Sequence, residues 1–115
     1  MSDLDEMWQE LARYQSYADR RQFGLAWHRM TTKRTMKAAQ NAASWAATRA
    51  AGKFGAANSA AGAAFAAAMA KNLTDFAQDM SGSHVVDAAE WTEKGVRWKQ
   101  LAIGNIRDAI EQEEP

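Results

Sequence analysis

Cysteine is absent from the 115 residues, proline occurs only at Pro115, and the aromatic side chains are limited to five Trp, four Phe and two Tyr. Without cysteine there is no disulfide, no thiol nucleophile and no zinc–thiolate site, and a reducing compartment is permitted. Period-two alternation of branched residues, the mark of a half-buried strand, is also missing, so no strand pattern competes with a helical reading. The longest charge-free run, Phe54 to Ala70, is seventeen residues of mostly Ala and Gly. Such a run lies at the short edge for a membrane span, and alanine is only weakly lipophilic, so no membrane association is expected. Asp3, Asp5, Glu6 and Glu10 stand where a secretory leader would be basic and then apolar, which predicts a cytoplasmic protein.

Motifs that carry chemistry are equally scarce. His28 and His84 lie 56 residues apart, and neither has a second ligand at helical spacing. Ser44 and Ser59 have no nearby His and acid in sequence. Gly52-Lys53-Phe54-Gly55 is too short for a phosphate-binding loop and lacks its Gly-Lys-Ser/Thr ending. Expected from this are no catalytic residue, no cofactor, no metal site and no enzymatic activity.

What the chain does have is alanine at a period of four. Residues 38–51 pair Ala38-Ala39, Ala42-Ala43, Ala46-Ala47 and Ala50-Ala51, the pattern resumes at Ala56-Ala57, and 18 of the 33 residues from 38 to 70 are alanine. A step of four turns a helix by about 400°, so such a stripe drifts by about 40° per repeat. Small faces let helix axes approach at or below the short end of the usual range of about 8–10 Å. The expected packing seam runs through Ala39, Ala43, Ala47 and Ala50 against Ala60, Ala64 and Ala67. The same seam between chains would make a homo-oligomer.

Around this ladder the sequence predicts one domain, 1–115, of the all-α class, with three to four helices arranged as a helical hairpin or up-and-down bundle. Helix one runs from about Asp3 to Arg20, with Leu4, Met7, Trp8, Leu11, Tyr14 and Ala18 on one face and Gly24 available as a left-handed cap. Helix two runs from about Leu25 to Ala51. Helix three runs from an Asn58 or Ser59 cap to about Met80, with Phe65, Met69, Leu73, Phe76 and Met80 as its core stripe. Ser81-Gly82-Ser83 breaks the chain before helix four, about His84 to Gln112.

The net charge of zero conceals segregation. Residues 1–11 carry −4, residues 12–53 carry +8, Lys71 adds one more positive charge, and residues 74–114 carry −5. Either the acidic ends fold over the basic middle or the middle stays exposed as a basic face. Arg29, Lys33, Arg34 and Lys37 fall on one side of helix two, where a line of cations could follow phosphates. No aromatic side chains interleave with them in sequence to stack bases, and no helix-turn-helix spacing is evident.

Trp8-Gln9-x-Leu11-x-x-Tyr14-Gln15-x-x-Ala18-Asp19, Phe23-Gly24-x-Ala26-Trp27-x-x-Met30, Arg34-Thr35, the Ala-Ala-x-x repeats with Trp45, and Ile106-Arg107-x-Ala109-Ile110-Glu111 together resemble small alanine-rich proteins encoded by tailed bacteriophages. The resemblance implies an accessory protein acting inside an infected bacterial cell. The expected function is therefore non-enzymatic docking on a host protein, for host takeover or interference with a defence system. Nucleic-acid binding through residues 13–37, and structural assembly through the alanine seam, are the alternatives.

Overall fold

Asp5 and Glu6 begin the first helix, α1 (Asp5–Ala12), where carboxylates meet the positive end of the helix dipole. The computed structural model describes residues 4–50, 55–79 and 88–114. Met7, Trp8 and Leu11 form the buried face of α1. The helix stops because the Leu11 carbonyl accepts two donors: the Tyr14 N–H at 3.1 Å, three residues on, and the Trp27 indole N–H at 2.8 Å. The chain tightens there and restarts as α2 (Gln15–Arg20), so the single helix expected over 3–20 is two.

The next turn is also built differently from expectation. Gln22, not Gly24, takes the left-handed conformation, at φ 71°. Gly24 instead opens α3 (Gly24–Lys33). A Cβ at Gly24 would lie 1.8 Å from Asp19 Oδ1 and 2.9 Å from Asp19 Cα, so glycine is required here for close approach. The helix expected over 25–51 is divided as well. Arg34 adopts φ 56° and ends α3, and α4 (Met36–Ala50) begins as the Thr35 hydroxyl accepts the Ala38 N–H at 3.1 Å. α5 (Ala56–Asp79) and α6 (Ala88–Glu113) complete the described chain. The fold is all-α with six helices among the described residues, not three or four. Met80, the Ser81–Ser83 breaker, His84 and residues 51–54 fall outside the described residues.

α5 is the centre of the molecule. It packs against α4 and α6, and α1 closes over α5 and α6, while α3 packs on α4 and α1. α6 runs back along α5: Ser59 meets Gln112, Gly62 meets Asn105 and Phe76 meets Trp91. The core has two textures. Between α1, α2 and α3 it is aromatic: Tyr14, Phe23 and Trp27 lie within 5.4–6.2 Å of one another, centroid to centroid, beside buried Trp8, Met7, Leu11 and Met30. Between α4, α5 and α6 it is mostly alanine.

The four-residue drift explains which alanines are buried. The row on α4 is Ala39, Ala42, Ala46 and Ala50, whereas Ala43 is half-buried and Ala47 is exposed. The row takes the second member of the first pair and the first member of the others. Its opening step of three sets it back by about 60°, and two steps of four then advance it by about 80°. Paired alanines thus keep one member facing α5 along the whole helix. On α5, Ala60, Ala64 and Ala67 are buried, as are all the other alanines of that helix.

The stripe expected to form the core of α5 does not. Leu73 is buried, Met69 is half-buried, and Phe65 and Phe76 are 51% and 37% exposed. Alanine occupies the sides facing α4 and α6, and Phe65 and Phe76 fall on the side that no described helix covers. There they lean edge-on against α6, Phe65 on Trp98 and Phe76 on Trp91.

This burial pattern predicts opposite outcomes at adjacent positions. Ala46→Leu should destabilise the fold by about 1–3 kcal/mol through overpacking. Ala47→Leu, melted at low protein concentration, should stay within about 0.5 kcal/mol of the parent. Denaturant melts of the two variants check it, and equal effects would refute the buried row described above.

Candidate functional site

No Asp or Glu occurs between Arg20 and Thr74. The cations of α3 and α4 can therefore be neutralised only by acids that lie before Arg20 or after Thr74, and these act selectively. Glu113 on α6 receives both Arg21 Nε at 2.7 Å and Arg21 Nη2 at 2.5 Å, and the buried Tyr14 hydroxyl donates to the same carboxylate at 2.9 Å. Arg21 holds the Glu113 carboxyl below its usual range, and burial together with that carboxylate pushes the Tyr14 phenol up. Glu10 accepts Arg107 at 2.9 Å and Arg13 at 2.8 Å, and the Arg107 hydrogen bond lowers its titration as well.

Of the four cations singled out in sequence, the acidic ends remove one. Arg34 Nη1 pairs with Asp5 at 3.0 Å, and its Nε donates to the Thr31 carbonyl at 3.2 Å. The left-handed backbone at Arg34 turns the chain between α3 and α4. The other three come together. Arg29, Lys33 and Lys37 line a cleft of about 290 Å³ where α3 hands over to α4, with Thr35, Ala38 and Asn41. A second cleft of about 260 Å³ shares Arg29 and Asn41 and continues along Gln22, Leu25, Ala26, Trp45 and Arg49. Among the described residues no ion pair engages Arg29, Lys33, Lys37 or Arg49.

The result is a groove with a cationic rim and an apolar floor. Leu25 is 67% exposed and Trp45 is 45% exposed. The Arg49 guanidinium lies over the Trp45 ring, 5.6 Å from its centroid, which orients both groups. No lining residue is a carboxylate or an imidazole. The groove offers charge-assisted donors for carboxylate or phosphate oxygens, two side-chain amides, and contact area for an apolar group between them.

Trp45 and Arg49 were missed as site residues in sequence because they read as filler of the alanine ladder. The signal was present in the residues between the pairs: Lys37, Asn41, Trp45 and Arg49 recur every four, as the alanines do, and so share a face. The aromatic side chain absent from the basic run in sequence is supplied in space by the next helix. His28 is exposed, His84 lies outside the described residues, and no group of three His, Asp or Glu able to hold a metal occurs among the described residues. No described helix is long and apolar enough to cross a membrane.

No protein-family model matches the chain, and no characterised protein or solved structure matches it.

The carboxylates that clamp the termini make the fold acid-sensitive. Glu10 and Glu113 titrate lower in the folded chain than in the unfolded one, so their contribution is present above the ordinary carboxylate range, near pH 4.3, and is lost as pH falls through the lowered values. The melting temperature should be level from about pH 8 to about pH 5 and fall below about pH 4. Glu113→Gln should cost about 1–3 kcal/mol at pH 7 and flatten the acid limb. An acid limb in that variant as steep as the parent's would show that this clamp does not anchor the ends.

Proposed function

We propose that the protein is a non-enzymatic binding module that docks an acidic segment of a partner protein in the groove between α3 and α4. The observation that carries this reading is a pair of adjoining clefts lined by four cations that have no ion-pair partner among the described residues, one cleft also lined by two exposed apolar side chains, Leu25 and Trp45. A nucleic acid offers phosphates but has little use for an exposed leucine, whereas an acidic peptide with one apolar anchor satisfies both halves of the groove. The resemblance to small tailed-phage proteins supports a host protein as that partner. On that reading the docking modulates or inhibits the host protein in the cytoplasm of an infected cell. A second reading, binding of single-stranded nucleic acid, is favoured by Trp45 standing beside Arg29 and Arg49, since ring-plus-guanidinium platforms stack bases.

Anisotropy of labelled probes separates the two. A glutamate-rich peptide carrying one leucine or phenylalanine should bind, and reversal of Lys33 and Lys37 to Glu should weaken it on the order of tenfold with no loss of fold. Trp45→Ala should weaken the same peptide with little change in its salt dependence, because it removes contact area and not charge. A nucleic-acid site would instead favour oligonucleotides over the peptide. Its affinity would then fall with a log–log salt slope of about −0.7 per phosphate on single strands, and the lysine reversal would reduce that slope by about two contacts.

A further inference from the structure

The two clefts beside α3 and α4 adjoin and differ in kind. Arg29 and Asn41 line both. Outward from them lie Leu25 and Trp45 in one cleft and Lys33 and Lys37 in the other. The cationic cleft gathers its charge from two helices. Arg29 and Lys33 stand one turn apart on α3, and Lys37 comes from the first turn of α4. Thr35 lines it as well. Its hydroxyl oxygen accepts the Ala38 N–H at 3.1 Å, which leaves the hydroxyl hydrogen to be donated to a ligand. The apolar cleft has one cation of its own, Arg49, and that guanidinium lies over the Trp45 ring.

Building on the docking function above, we propose that the cationic cleft receives the phosphoryl group of a phosphorylated serine or threonine in the partner's segment, and that the segment's apolar anchor sits three or four residues away. A phosphomonoester brings a charge of about −1.5 to −2 and three acceptor oxygens near neutral pH. A carboxylate brings one charge and two oxygens. Arg29, Lys33 and Lys37, which have no ion pair among the described residues, and the Thr35 hydroxyl match the first. Neutralising the same cleft with carboxylates requires two or three of them side by side, repelling one another. The gathering of cations at one end also disfavours a nucleic-acid strand, which brings a phosphate at every step, including those beside Leu25 and Trp45. The spacing follows from the helices. Leu25 to Lys33 and Lys37 to Trp45 are eight positions each, about 12 Å along either axis. An extended segment rises about 3.3 Å per residue, so it covers that distance in three to four residues. It also has backbone N–H and C=O groups to offer the Gln22 and Asn41 amides, groups that a helical segment has spent on itself.

Anisotropy of labelled peptides against the full chain tests both halves. Each peptide carries one phosphoserine and one leucine, with the leucine moved stepwise along either side of the phosphoserine. The charge-matched control replaces the phosphoserine by two adjacent glutamates. The phosphopeptide should bind on the order of tenfold more tightly than the control, with the best affinity when the leucine is three or four positions away. Lys37→Gln should abolish most of that preference and leave the spacing optimum. Trp45→Ala should keep the preference and flatten the spacing profile. Both positions are exposed, so circular dichroism should be unchanged in either variant. A control that binds as tightly as the phosphopeptide overturns the phosphoryl site while the docking of acidic segments stands. If neither peptide binds, the docking function falls and this site with it. A 5′-phosphorylated oligonucleotide that outcompetes the phosphopeptide overturns the protein partner. A flat spacing profile in the parent overturns the paired phosphoryl and apolar contacts.

Discussion

Alanine on the flanks of α5 is the constraint on which the other helices depend. With methyl groups facing α4 and α6, three helices pack side by side with few large side chains between them, and each buried alanine contributes little apolar area. The fold compensates at one end, where Trp8, Tyr14, Phe23 and Trp27 are packed together and the terminal segments are joined by charge. The closely packed alanine layer and the aromatic end are thus complementary: one sets the spacing of the long helices, the other supplies bulk burial, about 1.5–3 kcal/mol for each large side chain.

Because alanine fills the inner faces, large residues are displaced outward. Phe65 and Phe76 have the periodicity of a core stripe and the exposure of a surface one. The same displacement gives α4 two distinct outer rows, one with Trp45 and Arg49 toward α3 and one with Ala43 and Ala47 toward the uncovered side of α5. A helix whose inner face is alanine carries its chemical identity on its flanks.

Helical periodicity made the all-α class and the long helices legible in sequence. The breaks were not legible, because each is decided by a distant group: α1 ends where the Trp27 indole reaches the Leu11 carbonyl, sixteen residues away. Arg29, Lys33 and Lys37 were legible as one face, since their spacing survives the division of the helix. Arg34 was not separable from them, because Asp5, twenty-nine residues earlier, withdraws it. The direction of the Phe65–Phe76 stripe was unreadable for a related reason. Periodicity shows that residues share a side, and only packing shows which side is covered.

The left-handed residues Gln22 and Arg34 bracket α3. Neither is glycine, so each holds a conformation that L-residues disfavour by about 1 kcal/mol. Unlike glycine at the same positions, they leave the unfolded chain fewer alternatives, and in the folded chain they leave the two ends of α3 little freedom to swivel. Leu25, Arg29 and Lys33 ride on that fixed segment. Their backbone positions are already aligned before any ligand arrives, and the backbone entropy of ordering the α3 wall of the groove is settled during folding instead of at binding.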